Sequence, residues 1–488
     1  MQYGFVIDQD KCIGCHACTT ACKAENGVPV GSFRTWVKYT ERGIYPQVKR
    51  HFAVLRCNHC TDAPCVTICP VNALVKRPDG IVDVDRDACI GCRACMQACP
   101  YDALYLNEDL GAVEKCHFCA HRIERGLEPA CVTVCPVRAI IPGDFDDPES
   151  EVSLIRKEHL LLARRPEQGT GPNVLYKGAD EAALRPGSMG KPESFLWSER
   201  PPYRREPWPK DLPVEKDARE VLNAEHKVEW GWQVAAYLVT KGIAGGTAML
   251  APFLPMLGLS EKVPWWYPET VALVFTLITV LLLIEDLKKP MHFYKLFTRP
   301  NWNSWLVKGG IVLTVFGAVS AVILCIGLIG PMGLIGLLEP LRWLNGLLGA
   351  MAAGYTAFLF WQCKGRDLWE SRWLLPHLLV QAVMCGGLGI AWTAIDSVPF
   401  RHVIVYTALC HFLFAMHEHS RQETPNCRQA AGFLKNKAIG IATLVVVVAL
   451  AMASREPYSV AVMSLIALAG MFSYELAFVR TGQLPPLS

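Results

Sequence analysis

Sixteen of the chain's 21 cysteines fall between Cys12 and Cys135, in four groups of four. The groups are Cys12, Cys15, Cys18 and Cys22; Cys57, Cys60, Cys65 and Cys69; Cys89, Cys92, Cys95 and Cys99; and Cys116, Cys119, Cys131 and Cys135. This feature constrains the fold more than any other, because so many thiols need either disulfides or metal. The opening stretch MQYGFVIDQDK has no basic start followed by an apolar run, and no twin-arginine pair precedes the groups. It therefore reads as no export signal. In a reducing compartment sixteen disulfide partners are not expected, so metal ligation is the expectation for all of them.

The spacing narrows the metal. Groups one and three follow C-x2-C-x2-C-x3-C, the run that binds [4Fe–4S] clusters in bacterial ferredoxins. Three closely spaced cysteines wrap one cube, Gly14 and Gly91 supply backbone freedom inside the loop, and the fourth cysteine ligates the other cube of a pair. Pro70, Pro100 and Pro136 follow the fourth cysteines of groups two to four, while Lys23 takes that place in group one. PCVTICPVNAL (64–74) and ACVTVCPVRAI (130–140) are near copies, as are groups one and three. A closed zinc site wants two pairs of ligands, and a repeated three-plus-one grouping fits it poorly. The reading is an α+β head, a duplicated bacterial ferredoxin with four [4Fe–4S] clusters.

The order and spacing of the groups, with CKAENG, CNHC, DAPCVTICP and EKCHFCAHRIERGLEPACV, resemble the four-cluster electron-transfer subunit of the molybdopterin oxidoreductases, the dimethyl-sulfoxide-reductase family, over about residues 1–150. The resemblance implies a crossed ligand pattern. Cys12, Cys15 and Cys18 take Cys135, and Cys116, Cys119 and Cys131 take Cys22. Cys57, Cys60 and Cys65 take Cys99, and Cys89, Cys92 and Cys95 take Cys69. Arg93, Lys115 and His117 are basic neighbours placed to raise potentials.

Beyond the head, residues 146–228 carry many prolines and charges, including PPYRREPWPKDLP (201–213), and read as an extended strap. Eight apolar spans follow, at about 231–256, 268–285, 304–328, 341–362, 374–395, 401–419, 437–453 and 457–479, each near the length that crosses hydrocarbon. The expected organisation is thus a head (1–145), a strap (146–228) and an all-α membrane domain of about eight transmembrane helices (229–488). Loops on the head's side carry eleven basic residues (Lys288, Lys289, Lys295, Arg299, Lys364, Arg366, Arg372, Arg421, Arg428, Lys435 and Arg480). The far side carries four, Lys262, Arg342, Arg401 and Arg455. The positive-inside rule places the head in the cytoplasm and the protein in the inner membrane. A net charge of +3 carries no global signature of nucleic-acid binding.

The tail resembles the polysulfide-reductase-type (NrfD-like) quinone-reactive membrane subunit, which carries no haem. YLVTKGIAGGTAML (237–250), EDLKKPMHFYKLFTRPNWNSWLVKGG (285–310) and GYTAFLFWQCKGRDLWESRWLLPHLL (354–379) carry the resemblance. It implies a quinone slot on the head's side, with Gln233, Tyr237, Asp286, Tyr355 and His377 as candidate contacts and Trp230 beside them. Tyr237 stands at the family's quinone histidine and Val234 at its asparagine, so the location transfers better than the chemistry. Each candidate also has a structural alternative: interfacial anchoring for Tyr237 and Trp230, helix bonding for Gln233, pairing with Lys288 or Lys289 for Asp286. Lys241 lies about ten residues inside the first span, where a charge is expensive. His377, His417 and His419 leave one bis-histidine haem open near the head.

Together these features imply an electron-transfer and membrane-anchor subunit, linking a molybdopterin catalytic partner to the quinone pool through four clusters. The chain has no pterin, flavin or nucleotide motif, so substrate chemistry belongs to that partner. An ion-translocating module using Lys241, Asp286 and Glu475, and a haem-containing (b-type) electron-transfer subunit, are the competing readings.

Overall fold

A computed structural model of the chain describes residues 1–44, 46–185, 189, 218–329, 332–394, 397–451 and 457–488. The central segment PPYRREPWPKDLP of the expected strap lies outside them.

The head is built on a four-stranded sheet in the order β8 (Ile140–Asp144), β1 (Tyr3–Asp8), β10 (Val174–Lys177) and β9 (Leu161–Ala163). β1 pairs antiparallel with β8, in register Phe5 to Pro142, and parallel with β10, Phe5 to Val174. A long hairpin, β2 (Thr35–Ile44) and β3 (Gln47–Arg56), takes β11 (Ala218–Leu222) on its outer edge. Two short hairpins complete the strands, β4 (Leu74–Lys76) with β5 (Val82–Val84) and β6 (Leu104–Asn107) with β7 (Ala112–Lys115). The stretch read as a strap is therefore drawn partly into the head. Its residues 151–177 supply helix α6 (Glu151–Glu158), β9 and β10, and Val174 and Tyr176 are fully buried there. Their alternation, buried on every second residue of four, is too short a signal to separate from a loop by pattern alone.

The duplication is written into the backbone. Gly14 and Gly91 have φ of 71° and 72°, and His16 and Arg93, just before helices α1 (Ala17–Asn26) and α3 (Ala94–Ala98), have 61° and 59°. Asn72, Asp102 and Arg138, each three residues after a fourth cysteine, also lie in the left-handed region. Helices α2 (Pro64–Ile68), α4 (Ala120–Ile123) and α5 (Ala130–Thr133) carry the remaining loops, and α7 (Glu181–Leu184) closes the described part of the head.

The tail is helical: α8 (Trp232–Leu250), α9 (Tyr267–Glu285), the short α10 (Lys295–Thr298), α11 (Trp305–Ile329), α12 (Leu338–Trp361), α13 (Leu374–Ala394), α14 (Val398–Ser420), α15 (Pro425–Ala451) and α16 (Pro457–Gln483). Seven of these among the described residues are long and apolar enough to cross a membrane. α15, 27 residues long and polar over its first turns, stands in the place of the seventh expected span. The protein is a multi-pass membrane protein with an iron–sulfur head. α8 is the hub and the most enclosed span, with 83% of its apolar window buried against 22% for α11. The glycine pair in YLVTKGIAGGTAML explains how. A side chain on Gly246 would stand 1.7 Å from the Ala382 carbonyl oxygen on α13, and one on Gly245 2.5 Å from the Gly349 carbonyl oxygen on α12. Three helices thus meet backbone to backbone.

The head is seated on the bundle through polar contacts. Asn301 donates from Nδ2 to the carbonyl of Cys69 at 2.8 Å, Ser304 donates to Ile68 at 2.6 Å, and Lys289 donates its backbone N–H to Ile90 at 3.2 Å. Arg165 and Asp367 form a buried pair at 2.9 Å. Several basic residues counted toward the positive-inside rule also face the head's acids and carbonyls: Lys288 meets Glu108 at 3.2 Å, Arg299 meets Asp85 at 3.5 Å, and Lys295 reaches the Asp87 carbonyl at 2.5 Å.

Candidate functional site

The folded head gathers the sixteen cysteines into four quartets, each made of three cysteines from one group and one from another. Cys22, Cys116, Cys119 and Cys131 line one hollow of about 280 Å³, Cys69, Cys89, Cys92 and Cys95 a second of about 340 Å³, and Cys57, Cys60, Cys65 and Cys99 a third of about 300 Å³. Cys12, Cys15 and Cys135 are electrostatic neighbours, as are Cys12 and Cys18. These are the crossed sets that the resemblance implied. We number them from the outside inward: quartet I (Cys12, Cys15, Cys18, Cys135), II (Cys22, Cys116, Cys119, Cys131), III (Cys57, Cys60, Cys65, Cys99) and IV (Cys69, Cys89, Cys92, Cys95).

The quartets form a file. Cys18 of I neighbours Cys131 of II, Cys57 of III neighbours Cys116 of II, and Cys65 of III neighbours Cys95 of IV. Quartet I is nearest solvent, with Cys15 exposed, and quartet IV is nearest the bundle. Tetrahedral zinc holds sulfurs about 2.3 Å from one centre, hence roughly 3.8 Å apart. Among the described residues no group of three or more His, Cys, Asp or Glu side chains is placed to hold a single metal ion. Hollows each walled by four thiols, three from one group and one from another, suit a cube. Backbone amides already aim at sulfur: Ala73 donates to Cys69 Sγ and Ala139 to Cys135 Sγ, both at 3.3 Å. The bonds are equivalent in the two halves, as the matched left-handed residues require.

Beyond quartet IV the packing has no seam. The cysteines of quartets III and IV share one apolar core with Trp230, Val234, Tyr237, Phe360, Trp369, Leu378 and Tyr474 of the bundle. Trp230 donates from Nε1 to the Cys92 carbonyl at 3.3 Å and stacks on Trp369 with ring centres 5.6 Å apart. The Trp369 ring stacks in turn on Phe360 at 4.7 Å. Arg93 clamps the same junction, donating to the Glu229 carbonyl at 2.8 Å and pairing with Asp286 at 2.6 Å.

The five quinone candidates divide. Tyr237 on α8 and Tyr355 on α12 are buried neighbours around Lys241, whose ammonium lies 4.8 Å from the Tyr355 ring and 5.8 Å from that of Tyr237. Lys241 donates to the Ala353 carbonyl at 3.0 Å and to the Thr356 hydroxyl. Gln233 is half-buried at the start of α8. Asp286 is engaged elsewhere: its partner is Arg93 of the head, not the adjacent lysines, and burial raises its carboxyl pKa against the pull of that guanidinium. His377 belongs to another constellation, bonded through Nδ1 to Glu418 and through Nε2 to His411, both at 2.8 Å. Tyr474 donates to Glu418, and Gln381 reaches His377 at 3.1 Å. Both ring nitrogens of His377 are engaged, while His417 packs on Trp373 and His419 bonds the Ala415 carbonyl, so these three do not face one another across a haem.

Lys241, Gln381 and Glu475 wall a common hollow of about 260 Å³ between α8, α12, α13 and α16, with Leu238, Leu378 and Met471. The sequence flagged Lys241 and Glu475 for charge at depth but gave His411, Glu418 and Gln381 no weight. Their signal was available, since two titratable groups seven apart on α14 share a helix face.

Comparison with known proteins supplies the family. The 4Fe-4S dicluster domain model matches residues 48–145 and the 4Fe-4S binding domain model residues 3–24. The model described as polysulphide reductase, NrfD, matches residues 220–486. A subunit of the tetrathionate reductase of Salmonella typhimurium is 44% identical over 202 residues, 41% of this chain and 80% of that protein. The arsenate respiratory reductase iron-sulfur subunit ArrB of a Shewanella species is 37% identical, over 36% of this chain and 96% of the relative. A component of the polysulfide reductase of Wolinella succinogenes is 39% identical, over 36% of this chain and 93% of its own length.

Proposed function

The protein belongs to the polysulphide reductase NrfD family, with an iron–sulfur head fused to the family's membrane region, and from that premise we propose that it carries electrons between a molybdopterin catalytic subunit and membrane quinone. It acts as electron-transfer subunit and anchor in one chain, and substrate chemistry is left to the partner. Its parts are a four-cluster head (1–145), a following stretch (146–228) that lends strands β9, β10 and β11 to that head before connecting it to the bundle, and a quinone-reactive membrane domain (229–488). The observation that carries this reading is the file of four cysteine quartets running into the apolar core of the bundle at Trp230. Four [4Fe–4S] clusters, when bound, supply one-electron relays along that file.

The residues of the chain do the rest. All sixteen cysteines hold the clusters. Exposed Cys15 sets the end of the file where a partner can approach. Trp230, Trp369 and Phe360 exclude water between quartet IV and the helices. The quinone slot lies beside Tyr237 and Tyr355, with Gln233 at its mouth and Lys241 behind it, because this is where buried polar groups approach the inner end of the file. Asp286 serves the slot indirectly, by fixing Arg93 and so the seat of the head. Quinone reduction takes two protons, and the chain His411–His377–Glu418–Tyr474 offers imidazole nitrogens and a carboxylate in bonded contact to hold them. The head faces the cytoplasm of the inner membrane.

The protein purified with its partner should contain roughly sixteen iron atoms, the count for four such clusters. A reduced quinone analogue should reduce the head's centres, and Tyr237→Phe with Lys241→Met should slow that step without loss of iron. Iron near four per chain, or a sharp b-type haem band, would overturn the proposal.

A further inference from the structure

Arg56 is the last residue of β3 and is completely enclosed, with no exposed surface. It stands where quartets I and II meet. Its cysteine neighbours are Cys131 and Cys116 of quartet II and Cys18 of quartet I, and its Nη1 donates to Cys131 Sγ at 3.3 Å. The guanidinium lies over Phe5, 4.4 Å from the ring centre, so it packs against an apolar ring. Its Nε and Nη2 have no hydrogen-bond partner.

Three other buried arginines of the head are paired with carboxylates, while Arg164, also without an ion pair among the described residues, donates to the Leu487 carbonyl at 2.8 Å and touches no cysteine sulfur in a hydrogen bond. Arg34 has Glu114 at 3.2 Å, Arg93 has Asp286 at 2.6 Å and Arg165 has Asp367 at 2.9 Å. No carboxylate among the described residues forms an ion pair with Arg56. Lys115, at the junction of quartets II and III, is also buried, but its ammonium is occupied by the carbonyls of Val82 and Cys116. Burying a cation without an anion costs several kcal/mol. What faces Arg56 is cysteine sulfur, so its counter-charge is the sulfur-ligated centres themselves, with Nε and Nη2 left for cluster sulfur.

We propose that Arg56 is a positioning residue for electron transfer, a fixed positive charge shared by quartets I and II that raises the reduction potential of the two centres they hold. This deepens the four-cluster reading and rests on it. Reduction of each centre adds one electron and hence one negative charge. In a dry site this charge is not met by a proton, so a permanent cation within contact distance favours the reduced form. Arginine suits the task because it stays protonated throughout the physiological range. Placing it between the two outermost quartets keeps them reducible by the partner while leaving quartets III and IV to be set by other groups.

The test uses the full chain with its partner subunit, purified without oxygen, as wild type, Arg56→Gln and Arg56→Lys. Iron content and redox titration followed by electron paramagnetic resonance are the readouts. Arg56→Gln should keep its iron and lower two of four midpoint potentials, each by about a tenfold change in the reduced-to-oxidised ratio, 59 mV for one electron. Arg56→Lys, which keeps the charge, should lie closer to wild type. Four unchanged midpoints in Arg56→Gln would overturn the proposal. If Arg56→Gln loses iron, Arg56→Lys decides: iron retained with midpoints near wild type upholds the charge, while iron lost again, or midpoints lowered, overturns it. Wild-type iron near four instead of roughly sixteen removes the four-cluster reading, so the two failures are distinguishable.

Discussion

Replacing Gly246 by alanine sets two effects of known size against each other. Alanine is favoured over glycine inside a helix by about 1 kcal/mol, which would stabilise α8. The new methyl, however, would stand 1.7 Å from the Ala382 carbonyl oxygen and 2.4 Å from its carbon, where ordinary contact begins at 3.4 Å. The obstacle is backbone, so no side chain can rotate away, and α8 and α13 must part by roughly 1.5 Å. Overpacking costs typically 1–3 kcal/mol where side chains can adjust, so a loss of about 3 kcal/mol is expected, or about 2 kcal/mol net. Gly317→Ala is the matched control, since its methyl would meet only Thr276 Cγ2 at 3.5 Å. That variant should be neutral or up to about 1 kcal/mol more stable. Thermal unfolding in detergent, followed by tryptophan fluorescence, should place Gly246→Ala roughly 4–8 °C below wild type, at 2–4 °C per kcal/mol. The same splaying would move Lys241 on α8 away from Gln381 on α13, so quinone reactivity should fall with stability. If Gly246→Ala unfolds at or above the Gly317→Ala midpoint, the backbone-contact argument is refuted.

Cys22→Ser should perturb the centre held by Cys116, Cys119 and Cys131 and leave the centre of Cys12, Cys15 and Cys18 intact, as read by electron paramagnetic resonance; the opposite pattern would exclude crossed ligation. Asp286→Ala leaves Arg93 without its carboxylate at the seat of the head, and should cost about 3–5 kcal/mol for a buried pair, less for residual exposure; limited proteolysis would show whether the head loosens. Arg50 and then Arg219 hold the Glu41 carboxyl below its ordinary range. A lowered folded-state pKa means that its contribution is present above pH about 4.5 and fades as the pH falls further. Glu41→Gln should therefore lower the stability of the β2–β11 edge slightly at neutral pH, the size expected for pairs with exposed arginines, and leave it unchanged at low pH, so that the acid dependence measured by hydrogen exchange flattens. His377→Gln breaks bonds to Glu418 and His411 and should slow quinone turnover more than it lowers iron content.

Much of this molecule is legible along the chain, because ligand spacing and hydrophobic length are local quantities. Three cysteines two residues apart can close on one cube wherever the loop lies, and about twenty apolar residues span a bilayer whatever their neighbours. The left-handed residues after each fourth cysteine of groups two to four repeat for the same local reason. Other features depend on contacts between residues far apart in number. Val174 joins β1 because its partner Phe5 is 169 positions away, beyond the reach of any periodicity. Asp286 was readable as a quinone contact or as a partner of the adjacent lysines, and only folding brings Arg93 to it. The same holds for His411 and Glu418, ordinary on α14 until α13 presents His377. Arg56 is an unremarkable basic residue beside a cysteine in the sequence, and enclosure between two quartets is what makes its charge matter. The sequence by itself determined which atoms can bind iron and which segments can enter a membrane, since both follow from neighbours in the chain. The tertiary structure decided the order of the quartets, the seat of the head and the partner of each buried charge, because those depend on distance through space and on the exclusion of water.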